Sequence, residues 1–267
     1  MKTAGKISLF ILILISLLSI CAPCISRYNP DMVDLDNLRK PPSFQHPFGT
    51  DNKGRDIFTR ILYGGRISIG VALSAAFFSM GIGLLVGLYS GYFGGRVDTI
   101  IMAFVDLILS FPTLLLAIGI SVLFPSGIYT VMIAIAAVGW TSFARLIRGH
   151  ILTIKKALFV ESAKALGCSN MRILFVHLLP QCISLSLVMM GLRLGGYILT
   201  EASLSFLGLG AQPPTATWGS MISANRAYIS SYPWMVIFPG LMIAITALCF
   251  NILGDGLREK YSIRIRG

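Results

Sequence analysis

Six apolar runs set the terms for this chain. They lie at about 7–25, 67–93, 98–124, 128–147, 174–200 and 234–254, each ended by charges, glycines or prolines. A helix needs about 20 consecutive apolar residues to cross a hydrocarbon core of about 30 Å, and each run is close to or above that length. A soluble domain carries about a quarter charged residues, whereas this chain has 12% charged and 55% hydrophobic residues. The expected fold is therefore an all-α integral membrane protein, a six-helix transmembrane bundle with both termini on one side. Six spans use about 120 residues of the 267. What remains is one long loop and several short ones, with no room for a separate globular catalytic domain.

The first run follows Lys2 and Lys6, which is also how a secretory signal begins. Ile20 is too bulky for the position before Cys21 in a lipoprotein cleavage box, and further spans follow, so the run is read as an uncleaved first helix. Residues 27–66 are polar and interrupted by Pro30, Pro41, Pro42 and Pro47, each of which breaks a helix interior. The chain thus divides into 1–66, a first helix with a long extracytoplasmic loop, and 67–267, a five-helix core. The net charge is +11. With the N-terminus in the cytoplasm, 13 of the 22 Lys and Arg residues fall inside, eight fall outside and Arg193 lies within a span. That bias follows the positive-inside rule and suits anionic lipid. No aromatic-interleaved basic patch argues for nucleic acid.

Gly83, Gly87, Gly91 and Gly95 recur every fourth residue, stripping one helix face so that a neighbour can approach closely. Cys21 and Cys24 have redox-motif spacing, but they end an apolar run without a βαβ pattern and are read as coincidence. Asp106 lies inside the third run, where an ionisable group needs a partner or water. It either pairs with a neighbour such as Arg193 or lines a pathway. Glu201, at the outer end of the fifth run, is either a gate residue or an interfacial charge. Asp51, Arg55 and Asp56 lack the ligand alternation of a calcium loop; they either form ion pairs that order the long loop or belong to a surface facing a binding protein. Trp218, Tyr228, Tyr232 and Trp234 fit an interfacial aromatic belt.

Between the fourth and fifth runs lies a segment of different character. Leu158 to Gly167 reads as a short helix stopped by Gly167, which can take the left-handed conformation at a helix C-terminus. Ser169 is placed to cap a second helix, and Pro180 ends that helix or starts the next span. Ala163 and Ala165 beside Glu161 and Lys164 offer a surface to a partner's groove.

This segment resembles the coupling loop of ABC importer membrane subunits, a Glu-Ala-Ala, three residues, Gly, nine residues, Ile-x-Leu-Pro pattern. It stands here as Glu161-Ser162-Ala163, Gly167 and His177-Leu178-Leu179-Pro180 within a loop at about 149–180, with Ser162 and His177 departing from the pattern. Gly49 to Asp56, Gly94 to Asp98, Thr200 to Gly210, Gln212 to Thr215 and Phe250 to Arg258 are similar to blocks of the C-type permeases in the dipeptide, oligopeptide and nickel branch. The resemblance implies the type I importer permease fold in the inner membrane. It makes Glu161, Ser162, Ala163, Gly167, Leu179 and Pro180 the ATPase-coupling residues. It also implies a homologous B-type permease, two ABC ATPase subunits and an extracytoplasmic solute-binding protein as partners. No Gly-x-x-x-x-Gly-Lys-Ser/Thr phosphate loop occurs in the sequence, so ATP and Mg²⁺ are expected on the separate ATPases and no cofactor on this chain. The subunit is read as a transport protein, not an enzyme, and Asp106 alone would be a poor intramembrane active site. Peptide is favoured as cargo over nickel or a metal chelate, because His46 lies in the long loop, His150 and His177 belong to the cytoplasmic face, and Cys182 and Cys249 are isolated.

Overall fold

The computed structural model describes residues 3–264, and among these the regular structure is helical, with one isolated bridge between Thr50 and Asp56. Helix α1 (Thr3–Ile20) is followed by the single turn α2 (Ala22–Ile25), the loop, and α3 (Ile57–Phe93). Next come α4 (Gly95–Leu109), α5 (Thr113–Val122), α6 (Ile128–Ile154) and the short α7 (Leu158–Ala165). The turn α8 (Asn170–Arg172), a π-turn at Ile173–Leu178 and α9 (Leu179–Phe206) run on as one helix, followed by α10 (Trp218–Asn225) and α11 (Trp234–Arg264).

Five helices are long and apolar enough to cross a membrane, and the expected third span is instead the pair α4 and α5, bent by 93°. Pro112 accounts for the break: its ring removes a helical N–H and pushes Phe111 out of the helical region. Ser110 satisfies a freed carbonyl by donating from Oγ to Leu107 O at 2.7 Å. At 1.5 Å per residue, α4 and α5 span only about 22 Å and 15 Å, so neither crosses a bilayer alone.

The second span starts ten residues before the expected boundary of 67. Asp56 caps α3, its carboxylate accepting from Thr59 N at 2.7 Å, and Ile57 and Ile61 bury one face of the added turns. The added turns also carry Arg60 and Arg66, so their sequence is too polar to read as part of a span. The glycine stripe packs as expected at Gly83, Gly87 and Gly91, which lie against Trp140, Phe143, Ala144, Ile147 and Ile151 of α6. Gly95 is the exception. It follows the end of α3 with φ +59 and nothing within 4 Å of a built Cβ.

Ser19, at the end of α1, abuts Gly65 and so lies beside Trp218 of α10. At the other end of the bundle, Gly254 and Leu257 of α11 pack on Gly191 and Leu192. Both described ends of the chain therefore lie at the α7 end, as the six-span count requires. Of the aromatic residues expected to pack or to anchor the interface, Trp218 packs: it is fully buried, and its Nε1 donates to Ile61 O at 3.0 Å.

Candidate functional site

The α6–α9 connection is built as a small rigid unit. Helix α7 ends in paired backbone bonds, Gly167 N to Lys164 O at 2.9 Å and Cys168 N to Ala163 O at 3.0 Å. This is the Schellman closure, which requires the left-handed residue, and Gly167 has φ +77. Ser169 caps the next helix, its Oγ accepting from Arg172 N at 3.4 Å. Val160 and Ala163 bury the inner face of α7 against Ile147, Ile151, Ile173, Leu174 and Leu178. The unit is tied to the end of α3 by Lys155 Nζ donating to Gly91 O and Tyr92 Oη donating to Asn170 Oδ1, each at 2.8 Å.

The six residues singled out in this loop therefore divide by environment. Glu161 and Ser162 are exposed. Ala163 is not part of the outer surface, because every third or fourth residue of an amphipathic helix faces inward and its methyl group is buried. Gly167 sets the turn, while Leu179 and the exposed Pro180 begin α9. Sequence reasoning missed Leu158 and Leu166, which are 81% and 84% exposed on this unit. Apolar side chains at both ends of so short and polar a helix are the signal that would have found them.

Charges at membrane depth form a second constellation. Asp106 of α4 pairs with Arg145 of α6, not with Arg193. Arg193 instead donates from Nη2 to Ser142 Oγ at 2.9 Å. Nearby, Arg148 grips Asp98 through Nε at 2.7 Å and Nη2 at 2.5 Å, and Ser90 donates to the same carboxylate. These contacts fasten α4 to α6 and α3. Arg145, read from the sequence as a basic residue flanking a span, lies within α6, nine residues before Ile154.

Glu201 is neither a surface gate nor an interfacial charge in this subunit, being 1% exposed. Its Oε1 accepts from Ser205 Oγ at 2.7 Å. Its Oε2 is buried without a hydrogen-bond partner among the described residues, while Ser68 of α3 accepts from Trp218 N at 3.4 Å. Ser68 thus ties α3 to the start of α10, and the Glu201 carboxyl is bonded within α9.

In the long loop, Asp51, Arg55 and Asp56 are buried, so their side chains do not offer a charged face to a partner. Asp51 accepts from Arg55 Nε at 2.7 Å and lies 3.9 Å from Arg60 Nε. Asp56 faces His46 Nδ1 at 2.9 Å. Arg60 in turn donates to Pro30 O at 2.6 Å and Pro214 O at 3.4 Å, stitching the loop to the α9–α10 connection. The Asn37 side-chain amide, bonded at 2.5 Å, helps hold the half-buried Asp34 carboxyl below its usual range. Among the described residues no group of three or more His, Cys, Asp or Glu side chains is placed to hold a metal, and all five cysteines are free.

Residues 83–267 match the model of a family described as binding-protein-dependent transport system inner membrane component. Residues 2–42 match one described as the N-terminal TM domain of oligopeptide transport permease C. The chain is 42% identical over 262 residues to the oligopeptide transport system permease protein OppC of Bacillus subtilis (strain 168), covering 98% of this chain and 86% of that one. It is 45% identical over 261 residues to the glutathione transport system permease protein GsiD of Escherichia coli O6:K15:H31 (strain 536 / UPEC), covering 97% of this chain and 86% of that one. Among solved structures, a chain of the MetNI methionine ABC transporter in an inward-facing crystal form aligns with TM-score 0.59 at 20% identity, covering 75% of this chain and 95% of that one. A chain from the crystal structure of an amino acid ABC transporter with histidines aligns with TM-score 0.51 at 18% identity, covering 77% and 98% respectively.

Proposed function

The chain belongs to the family of binding-protein-dependent transport system inner membrane components, and we propose that it is one permease subunit of an ATP-driven importer of short peptides. In this reading a homologous B-type permease completes the translocation pathway, and an extracytoplasmic binding protein delivers the cargo. Two ABC ATPase subunits, holding ATP and Mg²⁺, engage the α7 unit. Peptide cargo is proposed from the relatives, one named for oligopeptides and one for glutathione, itself a tripeptide. The termini and α7 face the cytoplasm, as the excess of Lys and Arg at that end supports.

The observation that carries the reading is the construction of the α7 unit. A helix of eight residues is too short to be stable alone, yet this one is closed by a Schellman turn, packed on α3, α6 and the π-turn, and joined through residues 166–169 to a 37-residue helix. Force applied at its exposed face, at Leu158, Glu161, Ser162 and Leu166, would pass into α9 and not be lost in a flexible loop.

Gly167 supplies the test. A built Cβ there meets nothing within 4 Å, so Gly167→Ala adds no clash and only the left-handed backbone penalty of about 1 kcal/mol. Gly167→Asn tolerates that conformation better. Gly167→Val should leave the chain inserted but lower co-purification of the ATPases several-fold, Gly167→Ala less so and Gly167→Asn least. Normal ATPase recovery with the valine variant would sink the docking assignment.

A further inference from the structure

Arg145 and Asp106 are 53% and 65% exposed in this subunit, and Arg193 is exposed beside them. Neither arginine is near a helix end, and Asp106, in the last turn of α4, is held by Arg145. At 1.5 Å per residue Arg145 lies about 26 Å from the start of α6 and 14 Å from its end, and Arg193 about 20 Å from the end of α9. Exposed charge at such depth does not face hydrocarbon, where it is rare and costly. The face formed by α4, α6 and α9 must therefore meet water or another subunit.

The charges on that face do not cancel. Asp106 is taken up by Arg145, and Asp98 by Arg148. Among the described residues Arg193 has no carboxylate partner, only the Ser142 hydroxyl at 2.9 Å. Ser142 lies one helical turn from Arg145, so both guanidinium groups are presented along one stripe of α6. A single hydroxyl engages one of the five N–H donors of Arg193 and leaves a planar fork whose geometry matches a carboxylate.

We propose that Arg193, steadied by Ser142, is an anion subsite of the translocation pathway that takes the terminal carboxylate of the peptide cargo. The assignment rests on the peptide-import reading above and deepens it by naming the group recognised. The Asp106–Arg145 pair beside it neutralises the second arginine, so the subsite presents one net positive charge and not two. A single exposed cation holds a carboxylate without retaining it, as a pathway requires.

The experiment uses the full complex of this chain, its partner permease, both ATPases and the binding protein, reconstituted in proteoliposomes. Initial ATP-dependent uptake is measured for trialanine and for trialanine amide, which lacks the carboxylate. The binding protein is the same unaltered protein throughout, so its own preference cancels when variants are compared by the ratio of the two rates. Arg193→Gln should lower the ratio of acid to amide uptake about tenfold, the effect of losing one charged hydrogen-bonded contact. Arg193→Lys should restore most of it, and Ser142→Ala should shift it in the same direction but less.

An equal fall for both peptides in Arg193→Gln, or no fall, overturns the subsite. The equal fall is also what a structural contact with a partner-permease carboxylate would give. If Arg193→Gln fails to assemble, a ratio unchanged in Ser142→Ala overturns it instead. Absence of binding-protein-dependent uptake of either peptide by the unaltered complex overturns the peptide-import reading, and the subsite with it.

Discussion

Gly87→Ala probes the contact that organises the bundle, the close approach of α3 to α6. A Cβ built at Gly87 lies 2.5 Å from Ala144 O, 2.9 Å from the Ile147 Cβ and 3.1 Å from the Ala144 Cα, where ordinary contact begins at 3.4 Å. These are backbone or Cβ atoms, with no flexible side-chain end to swing aside. The helices must therefore part by about 1 Å, a gap that forfeits a quarter to a half of each affected dispersion contact. Gly83 and Gly91 lie on the same seam, where a built Cβ would sit 2.5 Å from Trp140 O and 2.9 Å from the Ile151 Cβ respectively, so separation at one position loosens all three. Overpacking of this kind costs about 2 kcal/mol.

Alanine also favours helix over glycine by up to about 1 kcal/mol, which would hide part of the effect. Gly81→Ala removes that ambiguity, because Gly81 is in the same helix and nothing lies within 4 Å of its built Cβ. The propensity gain is common to both variants, so their difference isolates the clash. By fluorescence-detected size-exclusion melting in detergent, Gly87→Ala should lose its folded peak about 4–8 °C below Gly81→Ala, the shift expected for about 2 kcal/mol in a chain of this size. Equal melting temperatures would refute the argument that backbone proximity, and not glycine's flexibility, explains the stripe.

Two further substitutions separate structural charge from functional charge. Asp51→Ala leaves the buried Arg55 and Arg60 guanidinium groups without their shared carboxylate. Breaking such a pair costs about 3–5 kcal/mol, so the variant should yield little monodisperse protein, with Asp51→Asn intermediate; wild-type yield and melting for Asp51→Ala would show the pair dispensable. Glu201 has one hydroxyl partner, Ser205, and no paired cation among the described residues, so hydrogen bonding is what its site uses. Glu201→Gln should keep nearly wild-type melting and uptake, whereas Glu201→Leu strands the Ser205 hydroxyl at about 1–3 kcal/mol; a glutamine variant as unstable as the leucine one would show that charge itself is needed.

The spans were legible because apolar length is a local property, and so were the Gly167 turn and the Ser169 cap, which depend on neighbours a few residues away. Asp106 shows where legibility ends. Arg145 is 39 residues distant and Arg193 more than twice that, and nothing in the sequence states which helix lies beside α4. The 93° bend decides the matter, because it sets the path of α4 against α6. Pro112 announced a break but not its angle. The start of α3 was hidden for the opposite reason: Arg60 reads as solvent-facing from sequence, yet carbonyl groups from residues 30 and 214 surround it.

Glu201 and Arg193 illustrate how much one residue of helical register decides. Leu194, Ile198, Glu201 and Ser205 are all buried, and they follow the three- and four-residue spacing that keeps side chains on one helix face. That spacing was available in the sequence and placed Glu201 inward, where Ser205 of the same stripe bonds it. Arg193 precedes the stripe by one residue, about 100° around the helix, and so leaves the subunit interior altogether. A carboxylate turned inward must be matched by its own chain, because an unpaired buried charge is destabilising. An arginine turned outward at membrane depth is left for something outside the chain to match. The two charges of α9 therefore divide between holding the subunit together and meeting what passes along its face.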